Sequence, residues 1–262
     1  MVVFFLLISQ LFCTHTHAQK KEQYLTNVPW SFVKQKVQNL VDTCNDIKKL
    51  DSAREVWGSN FLDDFLTETD MGGNTWFAFA SYVGDTTVMQ QIIDLAIESV
   101  FIESPEFKDY LALAKKDGKT TLYDKAQKII SAAQALRALA VISQPDHAGT
   151  TPLMYASMSN KKEAVNKITF EASILSEIAE DVLNKDSYEN FMFAENVIEK
   201  NALMLAACQE DPDINLINIL IESAKKAAEI SGNKGCYIYS VTKAIACTEN
   251  EKIKNILLQP PY

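Results

Sequence analysis

A short motif that returns along the chain constrains this sequence more than its composition does. Residues 146–168, DHAGTTPLMYASMSNKKEAVNKI, open with Asp146-x-x-Gly149, pass through Thr151-Pro152-Leu153 and enter a small-residue helix at Ala156 and Ser157. Eight residues after Ala156 a second apolar run begins: Ala164, Val165 and Ile168. Each part has a physical reason. Gly149 supplies the positive φ of a tight turn at no steric cost. Pro152 sits just inside a helix start, where its missing N–H is an orphan anyway. Ala156 and Ser157 let a neighbouring helix approach closely. The frame returns at Asp70, Gly73, Thr75 and Trp76 through Ser81, followed by Val88, Ile92 and Ile93, and again at Asn201 through Ala207, followed by Ile214. Ala80 to Val88 and Ala206 to Ile214 repeat the step of eight residues. A weaker copy runs from Tyr239 to Ala246, with Ile253, Ile256 and Leu257 after it, and a fifth at Asp117–Leu122 lacks the paired small residues. One such unit cannot cover its own apolar face, so recurrence implies stacking.

Turn, short inner helix, loop and outer helix in that order resembles an ankyrin repeat, most specifically at 70–93 and 146–168 and at most over 70–258. The resemblance implies an all-α, ankyrin-like helical-repeat solenoid with irregular, extended helices. The turn residues would be Asp70, Gly73, Asp146 and Gly149. With turn glycines or their equivalents at 73, 118, 149, 199 and 237, the steps are 45, 31, 50 and 38 residues, so the array is divergent and carries insertions. Two features depart from the family. The histidine that follows Thr-Pro-Leu is replaced by Ala78, Met154 and Met204, and the Gly-Ala-Asp segment between repeats is missing. The projecting turns are therefore expected to be short or absent.

Function follows from the same resemblance. A repeat module of this kind binds another protein and is not an enzyme. In the family frame the positions one before, and two and three after, the first small residue face the concave groove. They are Phe79, Tyr82 and Val83; Tyr155, Met158 and Ser159; and Leu205, Cys208 and Gln209. Aromatic and Met side chains there offer contact area at small entropic cost. The bland alternative is that long helices fold over this stripe and bury it. Cys208 and Cys247 occupy nearly equivalent places on adjacent inner helices; free buried thiols are the favoured reading, because Cys is a common small apolar residue at this place of the repeat, and a disulfide between these two is the alternative.

Composition narrows the remainder. The chain has 262 residues, 47% of them hydrophobic and only eight Gly, which reads as mostly helical with ample material for a core. A net charge of −9 with only Arg54 and Arg137 as arginines argues against nucleic acid. Residues 2–13, VVFFLLISQLFC, are too few to span a bilayer and lead to Thr16-His17-Ala18, the small-residue pattern of a secretory signal cut near Ala18–Gln19. Its competitor is a retained N-terminal anchor or a wrongly chosen start. The expected organisation is a signal at 1–18, a helical cap at 19–69 and the repeat array at 70–262. The protein is expected to be an exported (secreted or periplasmic) monomer, without a membrane segment after signal removal. The cap would be two amphipathic helices, one burying Phe32, Val33, Val37, Leu40 and Val41, the other Val56, Trp57, Phe61 and Phe65.

Catalytic chemistry has little to work with. Beyond the signal only His147 remains as a histidine, and it falls in a turn. A Ser–His or Cys–His system would need it as base. No C-x-x-C accompanies it for zinc, and the acidic runs lack calcium-loop spacing. No cofactor and no metal site are expected. The competing class is a hydrolase on a helical array using a pair of carboxylates.

Overall fold

The computed structural model of the protein describes residues 29–46, 61–103, 120–179 and 187–259, with single positions between 49 and 56 and between 109 and 115. The expected signal and the polar stretch after it lie outside the described residues, as do Trp57 and Asp117–Lys119. Among the described residues the secondary structure is helical, with one isolated bridge between Thr69 and Thr75. The protein is all-α.

The helices are α1 (Trp30–Cys44), α2 (Phe61–Thr67), α3 (Trp76–Val83), α4 (Thr86–Glu103), α5 (Thr120–Ser143), α6 (Pro152–Met158), α7 (Lys162–Ile178), α8 (Ser187–Met192), α9 (Ala202–Ala207), α10 (Ile214–Ser231), α11 (Lys234–Cys247) and α12 (Glu251–Leu257). Short α3, α6, α9 and α11 touch in that order and form an inner row. Longer α4, α5, α7 and α10 touch in order behind them. Small residues suit the inner row: Ala80, Ala156 and Ala206 are buried on successive members. The first three inner helices begin with the same cap. The side-chain oxygens of Thr75, Thr151 and Asn201 accept from the backbone N–H of Ala78, Met154 and Met204, satisfying a donor that has no partner within the helix.

The outer row has one member more than the motif spacing implies. Helix α5 wedges between α4 and α7 and also touches α3 and α6, while α3 packs directly on α6. The weak copy placed at 117–122 is therefore corrected: Thr120 and Thr121 open a long outer helix, and no inner helix is described at that place. The position taken as a turn at 237 is likewise inside α11, where Tyr237 is buried. Unit four passes from α10 to α11 through Gly232, at φ +76°, without the turn of the earlier units.

At the front, α1 and α2 pack on α4. Val33, Val37, Phe61 and Phe65 are buried as expected, but Phe32 and Val56 are exposed. Polar anchors fix this end. Trp30 Nε1 donates to Asp85 Oδ2 at 3.1 Å, and Lys34 pairs with the same carboxylate at 2.7 Å. Burial raises the Asp85 pKa, but the hydrogen bonds from Lys34, Val88 N–H and Trp30, with the Lys34 charge, outweigh it and hold it below the ordinary carboxylate value. Glu68 accepts from Lys36 and from Trp76 Nε1, with the Lys36 ammonium 4.5 Å above the Trp76 ring.

Candidate protein-binding surface

Three turns of identical construction precede α3, α6 and α9. In the first, Asp70 Oδ1 accepts from the N–H of Gly72 (2.8 Å) and of Asn74 (2.9 Å). In the second, Asp146 Oδ1 accepts from Ala148 (2.7 Å) and Thr150 (2.8 Å). In the third, Asn196 Oδ1 accepts from Ile198 and Lys200, both at 3.1 Å. The backbone N–H of Gly73, Gly149 and Glu199 donates back to the carbonyl of Asp70, Asp146 and Asn196. All three donors take left-handed φ, at +83°, +73° and +56°. This is the conformation that costs an L-residue most and glycine least.

The turns are tied to one another. His147 N–H donates to Gly72 O at 3.0 Å, and Val197 N–H donates to Ala148 O at 2.9 Å. The result is a backbone ribbon running across three units beside the inner helices. Tyr155 reinforces it: its hydroxyl lies 2.6 Å from Asn74 Oδ1 and 2.7 Å from Asp146 Oδ2, joining the first turn to the second. Burial, the hydrogen bond to Asp146 and the nearby carboxylates push the Tyr155 phenol far above its ordinary pKa. Asp70 and Asp146, the acids that approach each other here, both accept from their own turns, which gives these carboxylates a structural task.

The expected stripe divides. Phe79, Tyr155 and Leu205 are buried, at 7, 5 and 9% exposure, and this corrects their placement on an open groove. The reason is that this position points toward the preceding layer. Trp30 of α1 covers Phe79 with ring centroids 5.3 Å apart, and Asn74 with Tyr82 meets Tyr155, the two tyrosine rings edge-on at 6.4 Å. The later positions stay accessible. Met158 is 41% exposed, and Tyr82, Val83, Ser159 and Gln209 are half-buried. Cys208 is joined to Cys247 in a disulfide with Cα atoms 5.7 Å apart, linking α9 to α11.

Sequence reasoning missed the turn tips. Met71, Val197 and Ile198 are 59, 73 and 63% exposed, and His147 is exposed beside them. The equivalent tip pairs are Met71-Gly72, His147-Ala148 and Val197-Ile198. Aligning Asn196 with Asp70 and Asp146 would have found the third pair. Next to it, Tyr239 and Lys243 lie on the exposed face of α11, the ammonium 5.2 Å over the ring. Tyr239, Glu199 and Glu195 hold the Lys243 pKa above its ordinary value.

Among the described residues the remaining thiols, Cys44 and Cys236, are chemically quiet. Burial and Glu98 push Cys44 up to about 11, and Glu189 with burial does the same for Cys236, so both are thiols at neutral pH and poor nucleophiles. Among the described residues no group of three His, Cys, Asp or Glu side chains is placed to hold a metal ion, and no helix is long and apolar enough to cross a membrane. The chain matches no protein-family model, no curated protein and no solved structure.

Proposed function

We propose that this chain is an exported, ankyrin-like helical-repeat module that binds another protein without cofactor or catalysis. The observation that carries the reading is the hydrogen-bonded ribbon of three turns, which sets Met71, His147, Val197 and Ile198 in one exposed row. Large apolar side chains held out on rigid backbone suit recognition, because little side-chain or backbone freedom is lost on docking. The accessible part of the inner-helix row, Tyr82, Val83 and Met158, extends the same surface. Export is supported by the Cys208–Cys247 disulfide, a bond that persists in oxidising compartments, and by the apolar N-terminal run that ends at small residues.

The test is affinity capture from the native source with three baits. The wild type and a Phe170→Asp variant, altered at an exposed position on outer helix α7, should retain the same partner. A Met71→Asp, Val197→Asp variant should lose it while melting at the same temperature as wild type. A partner captured equally by all three baits removes the turn tips from the binding surface.

A further inference from the structure

The ribbon of turns has an open end. Gly72 O is filled by His147 N–H and Ala148 O by Val197 N–H. The next acceptor in that register is Ile198 O, and among the described residues no backbone donor reaches it. A second observation agrees. A Cβ on Gly73 would stand 2.7 Å from His147 N, and one on Gly149 would stand 3.2 Å from Asn196 Cα, because in each case the following turn lies against it. The equivalent third residue is Glu199, which carries a full side chain at φ +56° and is exposed. The first two turns are built to be stacked upon, and the third is not stacked upon by its own chain. The reason lies in unit four, where the segment that would form a turn is instead the first part of helix α11. Asn201 Nδ2 donates to Ser240 Oγ, which aligns the cap of α9 with the middle of α11.

We infer that the open end, Val197-Ile198 with Ile198 O as acceptor, takes an extended peptide segment of a partner protein. The segment would donate a backbone N–H to Ile198 O and lay an apolar side chain against Val197 and Ile198. This rests on the binding-module reading and names the chemistry of its partner. Backbone addition to an unpaired edge is an established mode of peptide recognition, in which main-chain bonds give affinity and flanking side chains give selectivity. Glu195 and Glu199 bracket the apolar tip and are exposed, so a Lys or Arg beside the apolar residue completes the match. Lys243, within the field of both carboxylates, and Lys200, next to Glu199 in the same turn, temper that preference, which rests on the two acids standing directly beside the apolar tip. A second copy of this chain does not fit. Its own first turn leads at once into α3, which would have to pack where α11 already covers α9. An extended segment brings no such helix.

The experiment is selection of random heptapeptides displayed on phage against the folded protein, with a Val197→Ser, Ile198→Ser variant as counter-selection. Enriched peptides should carry an apolar residue next to Lys or Arg, and as synthetic peptides they should bind the double variant at least tenfold more weakly. N-methylation at one residue of such a peptide, which deletes a single backbone donor, should cost at least tenfold, while the same change elsewhere costs little. Failure to enrich any peptide, equal binding to the double variant, or indifference to N-methylation at every residue overturns the inference. So does self-association in sedimentation that the double variant abolishes. Peptides that bind at Tyr82 and Met158 instead overturn it while leaving the binding-module reading intact, and partner capture by the wild type decides that reading separately.

Discussion

Substituting the three left-handed turn residues separates a stack from a set of independent turns. An L-side chain in this region costs about 1–2 kcal/mol, partly offset by about 0.4–1 kcal/mol because alanine has less freedom than glycine to lose on folding. That alone makes any such Gly→Ala change unfavourable by about 1 kcal/mol. Gly149→Ala adds only a tight contact, its Cβ 3.2 Å from Asn196 Cα, and should cost about 1–1.5 kcal/mol. Gly73→Ala is different in kind. Its Cβ would stand 2.7 Å from both His147 N and His147 Cδ2, a distance the backbone cannot accept. The turns must separate, and the His147–Gly72 hydrogen bond, worth about 1 kcal/mol, is lost with them, for a total of about 2–3 kcal/mol. Glu199→Gly runs the other way. It relieves the strain at φ +56° and gives up only an exposed side chain whose charge acts on the exposed Lys243, so it should leave stability unchanged or raised by up to about 1 kcal/mol. Urea unfolding followed by far-ultraviolet circular dichroism measures all three against wild type. Gly73→Ala within about 0.5 kcal/mol of wild type, or Glu199→Gly as harmful as Gly73→Ala, would refute the stacking of the turns.

Other parts of the structure make their own predictions. Tyr155→Phe removes the hydroxyl shared by Asn74 and Asp146 and should destabilise by about 1–3 kcal/mol in the same assay, since buried acceptors are left without it. Cys208→Ala, Cys247→Ala opens a link across 39 residues; loop-closure entropy puts its contribution at about 4 kcal/mol or less, and hydrogen exchange should accelerate first in α11 and α12. Asp85 is held below the ordinary carboxylate pKa by Lys34, Val88 N–H and Trp30 against the effect of burial. Its contribution is therefore complete above the unfolded value of about 3.9 and is lost as pH falls through the lower folded one. Asp85→Asn should accordingly be less stable than wild type at neutral pH and lose less stability in acid, as read from melting temperatures across that range. Equal acid slopes would show that the Trp30–Asp85–Lys34 contact does not anchor α1.

The all-helical class, the turns at Asp70–Gly73 and Asp146–Gly149, and the small residues of the inner row could be read from sequence because each depends on local chemistry. A left-handed φ needs glycine, a cap needs Thr or Asn, and closely packed helices need Ala or Ser. Glu199 hid the third turn, since nothing in the sequence tells that no neighbour presses on it. The place of α5 was illegible for another reason. Its buried Ala132, Ala135 and Ala138 fit an inner or an outer helix equally well, and only contacts far along the chain with α4 and α7 decide between them. Phe79 and Tyr155 were misplaced because helical phase gives a direction but not what lies there. Trp30 and Asn74, tens of residues earlier, cover those directions.

Amide hydrogen exchange at three equivalent tip residues tests the ribbon most directly. Met71, His147 and Val197 all sit at exposed tips, yet only the N–H groups of His147 and Val197 donate to a neighbouring turn. Slow exchange at His147 and Val197, at least about a hundredfold below that of Met71, is the predicted pattern, since exchange there requires opening of a bonded group. Equal, rapid exchange at all three would mean that the turns stand apart and that no ribbon joins them.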